Sequence, residues 1–286
     1  MDRFKARLVF KGFDQLSGIN YYETFSPVMK PATIRLVLAL AVQFDWNIKQ
    51  LDVSNAFLHG ILNEEVYMEQ PPSFVHPLYP DYVYKLNKSL YGLKQAPRAW
   101  FTRLSHALLN ISFSGSQVDP SFFTYHDGPI HVYLLVYVDD IIVTGNHSAT
   151  LTIIINKLQA DFSMKDHGSL TYFLGIQATR NIARLHLRQS KYILDLLDRT
   201  QMIECKPYSA PYSASSKMSK FDGEPLSNPT EYRHIVGALQ YVTLTRPNIT
   251  YSVNQLCQHM HAPTLVHLTT TKRVLRYLKG SIDFGL

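Results

Sequence analysis

Between His131 and Thr144, two runs of Val, Ile, Leu and Tyr are interrupted only by Asp139-Asp140. Branched and aromatic runs of this kind favour strands, and a polar break between two of them predicts a hairpin with the acids at its tip. Adjacent carboxylates repel, and removing either from water is costly unless a donor or a cation compensates. The simplest compensating partner is a divalent ion. The competing reading is a solvated turn, because Asp tolerates turn geometry. Strict alternation along the strand puts Asp139 on the face of Tyr137 and Leu135 and turns Asp140 away, making Asp139 the expected direct ligand.

A third carboxylate belongs to a separate strand signal. Asn47 to Val53 reads as a strand carrying Asp52 just before the small turn Ser54-Asn55-Ala56, and a central sheet could bring Asp52 beside Asp139. Carboxylate oxygens shared with phosphates suit magnesium. Helices are predicted over Pro31 to Trp46, with Ile34, Val37, Leu38 and Ala41 as the buried stripe, and over Arg98 to Phe113, with Trp100, Leu104, Leu108 and Ile111. Ser148 is expected to cap a third helix bearing Leu151, Ile154, Ile155, Leu158 and Phe162. Short strands are expected around Tyr172 to Gln177 and Leu185 to Leu187. Near the start, Lys5 to Lys11 alternates, which predicts a half-exposed strand with Lys5, Arg7 and Lys11 on its basic side. Pro207 to Ser219 has linker composition, and Glu231 to Leu244, Asn248 to Met260 and Thr264 to Lys279 read as helices. No internal repeat is present.

With 286 residues, 46% hydrophobic and 17% charged, the chain has material for one large or two modest cores, which excludes wholesale disorder. Its 28 lysines and arginines against 22 acids give a formal charge of +6, leaning toward a polyanionic partner. Two cysteines, Cys205 and Cys257, make no disulfide framework and point to a reducing compartment. Charges at Asp2, Arg3 and Lys5 occupy the place where a secretory signal needs an apolar run. A soluble intracellular protein with no membrane partner is expected, and a cytoplasmic particle and the nucleus suit it equally. Cys257, His259, His261 and His267 invite a zinc reading but lack the paired spacing of a structural site. Lys272, Arg276 and Lys279 share one face of the last helix, as either a phosphate-tracking surface or an ordinary solvated one.

Three segments, taken together, are more specific than any of these features. Gln50-Leu51-Asp52-Val53-Ser54-Asn55-Ala56-Phe57-Leu58-His59-Gly60, then Ser89-Leu90-Tyr91-Gly92-Leu93-Lys94-Gln95-Ala96-Pro97-Arg98-Ala99-Trp100, then Tyr137-Val138-Asp139-Asp140 resemble the central polymerase motifs of Ty1/copia retrotransposon reverse transcriptases in order and spacing. Lys5 to Lys11, Glu23 to Val28 and Tyr172 to Ile176 resemble further segments of that family. The resemblance implies an α+β right-hand polymerase, with fingers and palm over residues 1–206, a Ser/Pro-rich linker over 207–219 and a helical thumb or connection region over 220–286. It implies that Asp52, Asp139 and Asp140 hold two Mg²⁺ ions, or Mn²⁺ in their place. Phe57 would select the sugar, with Tyr91, Gly92, Gln95, Lys5 and Arg7 around the nucleotide. Tyr137, Phe173, Leu174, Gly175, Lys272, Arg276 and Lys279 would meet primer and template. The implied partners are an RNA or DNA template-primer and deoxynucleoside triphosphates, with ribonuclease H and integrase regions elsewhere in a complete polyprotein. The first residues begin inside a family segment, so a shortened fingers region is expected. The rival expectation is a non-enzymatic transposon remnant or an adopted nucleic-acid-binding module.

Overall fold

Proline at a helix head and alternating apolar residues in strands organise the first part of the chain. Pro31 opens α1 (Pro31–Gln43), where its missing amide hydrogen costs nothing, and Ile34, Val37, Leu38 and Ala41 form the buried face. There follow β1 (Asn47–Val53), a ribbon of β2 (Ile61–Glu69) and β3 (Val83–Lys88), α2 (Ala96–Asn110), β4 (Ser114–Gly115), β5 (Phe122–Asp127), β6 (Ile130–Tyr137), β7 (Asp140–Gly145), α3 (Ser148–Asp161) and β8 (Met164–Ser169). This computed structural model describes residues 7–181, 184–213 and 218–286 and divides the chain into two compact units, 1–170 and 171–286.

The first unit is built on a six-stranded sheet in the order β4-β5-β6-β7-β1-β8, with antiparallel neighbours. Leu51 and Val53 of β1, Val132, Leu134 and Val136 of β6, and Ile141 and Val143 of β7 share one face. Against that face pack Trp100, Leu104 and Leu108 of α2 and Leu151, Ile154, Ile155 and Leu158 of α3, as the helical periodicity requires. The cap of α3 is not Ser148. His147 holds the N-cap position, its ring nitrogen accepting from the Thr150 amide at 3.3 Å, and Ser148 is the first helical residue.

Over its described part, the expected basic strand at Lys5–Lys11 does not form. Val9 makes a single parallel bridge to Tyr91, Leu8 and Val9 are exposed, and Gly12–Asp14 turns into one 3₁₀ turn. Alternation alone cannot supply a partner strand. Lys5 lies outside the described residues.

The second unit begins with a three-stranded sheet ordered β11-β10-β9, from β9 (Tyr172–Phe173), β10 (Ile176–Arg180) and β11 (Leu185–Arg188). Leu174 and Gly175 both take positive φ, 48° and 70°, so the single strand predicted from Tyr172 to Gln177 folds back on itself. Helices α4 (Ser190–Arg199), α5 (Pro229–Val242), α6 (Thr250–Cys257) and α7 (Leu265–Lys279) complete the unit. Ile193, Leu196, Leu197, Tyr232, Val236, Leu239, Val253, Leu256, Val274, Leu275 and Leu278 form its core. The Ser/Pro-rich stretch lies within this unit, where the Tyr208 amide donates to the Arg276 carbonyl at 3.2 Å. No helix among the described residues is long and apolar enough to cross a membrane.

Candidate active site

Strand register assembles the acids. Asp52 stands directly across from Asp140 in the β1–β7 ladder, and the Val53 amide donates to the Asp139 carbonyl at 2.9 Å. Residues opposite one another in an antiparallel pair share a face, so Asp52 and Asp140 lie on the side of the sheet away from α2 and α3. Tyr137 pairs with Asp140 across the hairpin and therefore shares that side. This corrects the alternation expected from sequence, which put Asp139 with Tyr137. Val138 and Asp139 are the two loop residues of the hairpin, so the alternation restarts at Asp140. Asp139 sits exposed at the tip, and Asp52 and Asp140 are half-buried beside it.

Val138 has φ of 55°, a left-handed conformation that costs a β-branched residue about 1–2 kcal/mol. The Trp100 indole donates to the Val138 carbonyl at 2.7 Å. Burial, with the neighbouring charges of Asp139 and Asp52, raises the Asp140 carboxyl above the ordinary aspartate value, while a hydrogen bond from Gln50 opposes the rise. A cation at this corner would relieve the repulsion. Lys165 of β8, exposed, is paired with Asp52 on its other side; it carries no motif signal in the sequence, and only the sheet order brings it here.

Among the described residues, no three His, Cys, Asp or Glu side chains are gathered closely enough to hold a metal ion by themselves. Magnesium commonly takes one or two carboxylates and completes its shell with water and substrate phosphates, and an acid cluster with a raised carboxyl fits that donor set.

Phe57 is partly buried, its ring 5.2 Å from that of Tyr91, and the Arg7 guanidinium lies 5.1 Å from the Tyr91 ring on the same wall. Ser89 Oγ donates to the Phe57 carbonyl, tying the second sequence segment to the first. Gly92, with φ of 94°, allows a close backbone approach, but the backbone is that of Phe10: a Cβ at Gly92 would lie 2.0 Å from the Phe10 carbonyl oxygen. Gln95 is 1% exposed, its amide oxygen accepting from Gln15 at 3.0 Å and its nitrogen donating to the Asn20 carbonyl at 3.1 Å. Gln95 is thus corrected from a nucleotide contact to a strut holding residues 10–20 against the Tyr91 loop. Gln15, its partner, has no sequence signature because the two lie 80 residues apart.

In the second unit, Phe173 is a core residue at 3% exposure, while Leu174 and Gly175 form the turn beside it. Phe173 is thereby corrected from a primer contact, because a ring closed off from solvent offers no surface to a duplex. The basic stripe on α7 is also divided. Arg276 lies 3.7 Å from the Tyr208 ring and donates from Nε to the Lys206 carbonyl at 2.6 Å, whereas Lys272 is exposed and Lys279 partly so. Arg276 is committed to the preceding segment. His267 is fully buried, with one ring nitrogen accepting from the Thr264 amide at 3.0 Å and the other donating to the Ser219 carbonyl at 3.1 Å, which leaves it no lone pair for zinc.

The family model for reverse transcriptase (RNA-dependent DNA polymerase) matches residues 1–214. Over 286 residues, all of this chain, the sequence is 54% identical to the Retrovirus-related Pol polyprotein from transposon RE1 of Arabidopsis thaliana and 52% identical to that from transposon RE2 of the same plant. It is 39% identical over 289 residues, 98% of the chain, to the Pol polyprotein from transposon TNT 1-94 of Nicotiana tabacum. The chain spans about a fifth of these polyproteins: 20%, 20% and 22% of their lengths. With the aspartates of its first and third motifs neighbours in one sheet, the chain belongs to the reverse transcriptase (RNA-dependent DNA polymerase) family, as the domain found in Pol polyproteins of copia-type retrotransposons.

Proposed function

We propose that this chain carries out RNA-directed DNA synthesis, adding deoxynucleotides to a primer 3′ hydroxyl on an RNA or DNA template. One observation supports this above the rest: Asp52 and Asp140 are directly paired and the Asp139 carbonyl accepts from the Val53 amide, so three aspartates from two sequence-distant motifs are backbone neighbours at one sheet corner. Asp52, Asp139 and Asp140 would hold Mg²⁺, or Mn²⁺; bound as two ions, the metal would supply activation of the hydroxyl and neutralisation of the departing pyrophosphate. The chain's own residues do the rest. Phe57, braced by Tyr91, closes the space a ribose 2′ hydroxyl would need. Arg7 places a cation on the same wall for the triphosphate. Lys165, opposite Asp52 on the next strand, adds a cation to this part of the sheet. Gly92 and Gln95 shape the pocket indirectly, by fixing the Phe10–Asn20 segment to it.

Fingers and palm are assigned to the unit over residues 1–170 and a thumb or connection region to the unit over 171–286, which contains the 207–219 stretch, making a right-hand polymerase. Tyr137 at the acidic hairpin, the Leu174–Gly175 turn and the outward lysines Lys272 and Lys279 are the proposed template-primer contacts. The ribonuclease H and integrase activities of a whole Pol polyprotein would lie outside this fifth of its length. Primer extension on an RNA template, with the parent chain and with Asp139→Asn, tests the proposal. Deoxynucleotide- and Mg²⁺-dependent extension by the parent alone is the expected result, and equal extension by both would refute it.

A further inference from the structure

Asp139 stands at the tip of a two-residue loop and is exposed, a location that by itself leaves a carboxylate free to swing. Yet both peptide groups that flank it are held. The Val138–Asp139 peptide offers its carbonyl to the Trp100 indole at 2.7 Å, and the Asp139–Asp140 peptide offers its carbonyl to the Val53 amide at 2.9 Å. One anchor comes from a helix and the other from the strand that carries Asp52. With both flanking peptide planes fixed, the Cα–Cβ bond of Asp139 has one direction. The Val53 anchor belongs to the sheet ladder and any residue could provide it from its backbone. The Trp100 anchor is a side-chain group, and among the twenty side chains only tryptophan presents an N–H at the far edge of a large apolar ring system.

The anchor is itself immobile. Trp100 is 1% exposed and wedged edge-on against Phe162 at 5.2 Å, with the His59 ring 5.9 Å away. Packing alone would be served by any large aromatic ring. Held at φ of 55°, the β-branched Val138 needs such outside support, because its own preferences favour releasing the turn.

We propose that Trp100 is a positioning residue for the acidic turn: its indole N–H fixes the Val138–Asp139 peptide and so aims the Asp139 carboxylate at the cation site it shares with Asp52. The inference rests on the proposed function, and its test is arranged so that the two can fail separately. Two altered full-length chains are compared with the parent: Trp100→Phe, and a chain carrying benzothienylalanine at position 100, which keeps the bicyclic shape and replaces N–H by sulfur. Mn²⁺ binding is measured by electron paramagnetic resonance titration, together with thermal midpoint and, on an RNA template, kcat and the deoxynucleotide KM. Groups that orient a metal ligand change affinity by about tenfold or more when lost. Mn²⁺ binding should therefore weaken about tenfold, and kcat should fall with KM unchanged, while the thermal midpoint of the benzothienyl chain stays at the parent's. If Trp100→Phe unfolds, the benzothienyl chain decides. Parent-like Mn²⁺ affinity and kcat in that chain overturn the inference. A parent that binds Mn²⁺ but extends no primer defeats the synthesis reading alone, leaving the Mn²⁺ comparison to judge Trp100, whereas a parent that binds no Mn²⁺ defeats both.

Discussion

Two charged surfaces were expected from this sequence, and the protein treats them differently. In the first unit, Asp52, Asp139 and Asp140 are gathered by strand pairing, with the backbone of β1 and β7 setting which residue faces which. In the second, Lys272, Arg276 and Lys279 share a helical face by spacing, yet Arg276 spends its guanidinium on Tyr208 and on the Lys206 carbonyl. Short carboxylates go where the backbone takes them. A long, flexible side chain chooses among neighbours that spacing does not reveal. A charge pattern is therefore a sound guide to a site when the side chain is short and the register is fixed, and a weak one when the side chain can reach several partners.

The largest expected effect tests the acidic side. Asp139→Asn should lower primer-extension kcat by about a thousandfold, or ~4 kcal/mol of transition-state stabilisation, with the thermal midpoint unchanged. A drop of only a few-fold would put Asp139 among solvated turn residues and remove the contrast between the two surfaces. Next in size is sugar selection. Phe57→Val should raise incorporation of ribonucleotides relative to deoxynucleotides by roughly tenfold to a hundredfold, because the ring braced on Tyr91 no longer fills the space beside the sugar. The readout is the ratio of kcat/KM for the two nucleotide kinds, and an unchanged ratio in an active variant would return Phe57 to a purely packing role.

The basic surface is sharpened by separating its members. Arg276→Ala should destabilise the second unit by about 1–2 kcal/mol, through loss of the carbonyl bond and the ring contact, and leave the salt dependence of duplex binding nearly parallel to the parent's. Lys272→Ala should do the reverse, keeping the thermal midpoint while lowering the slope of log affinity against log salt by about one. Equal salt slopes for the two variants would show that the spacing was a better guide than the contacts. The smallest effect concerns His259 and His267, stacked with centroids 3.9 Å apart and both held by burial below the ordinary histidine value of 6.5. A lowered pKa means the neutral form is favoured in the fold, so their contribution is present above the unfolded value and is lost as pH falls through 6.5 toward the folded value. Thermal midpoints taken across that window should decline toward acid, and His259→Phe should make the decline shallower.

Much of the architecture was legible where local pattern and tertiary context agree. β1 runs from Asn47 to Val53, the segment read as a strand from the sequence, and Trp100, Leu104 and Leu108 bury the stripe that helical spacing assigns them. The β2–β3 ribbon was not legible, since Tyr67, Val83 and Tyr84 lie exposed on it and dilute the inside-outside contrast that marks a strand. Helix α4 was not legible either, because it is only ten residues long and follows two short strands.

What the sequence determined by itself was the chemical inventory and its local geometry: three aspartates at strand ends, a hairpin, and helices with apolar stripes. These depend on interactions between residues a few positions apart, and the residue types carry them directly. Tertiary structure alone decided that Asp140 rather than Asp139 shares the Tyr137 face, that Gln95 is consumed by Gln15, and that Lys165 flanks Asp52. It also decided that the Trp100 indole meets the acidic turn, 38 residues away. Each outcome turns on which loop residues a hairpin uses or on which distant segment supplies a neighbour, and the free energy that selects them comes from burial and hydrogen bonding across the whole sheet rather than from any local preference.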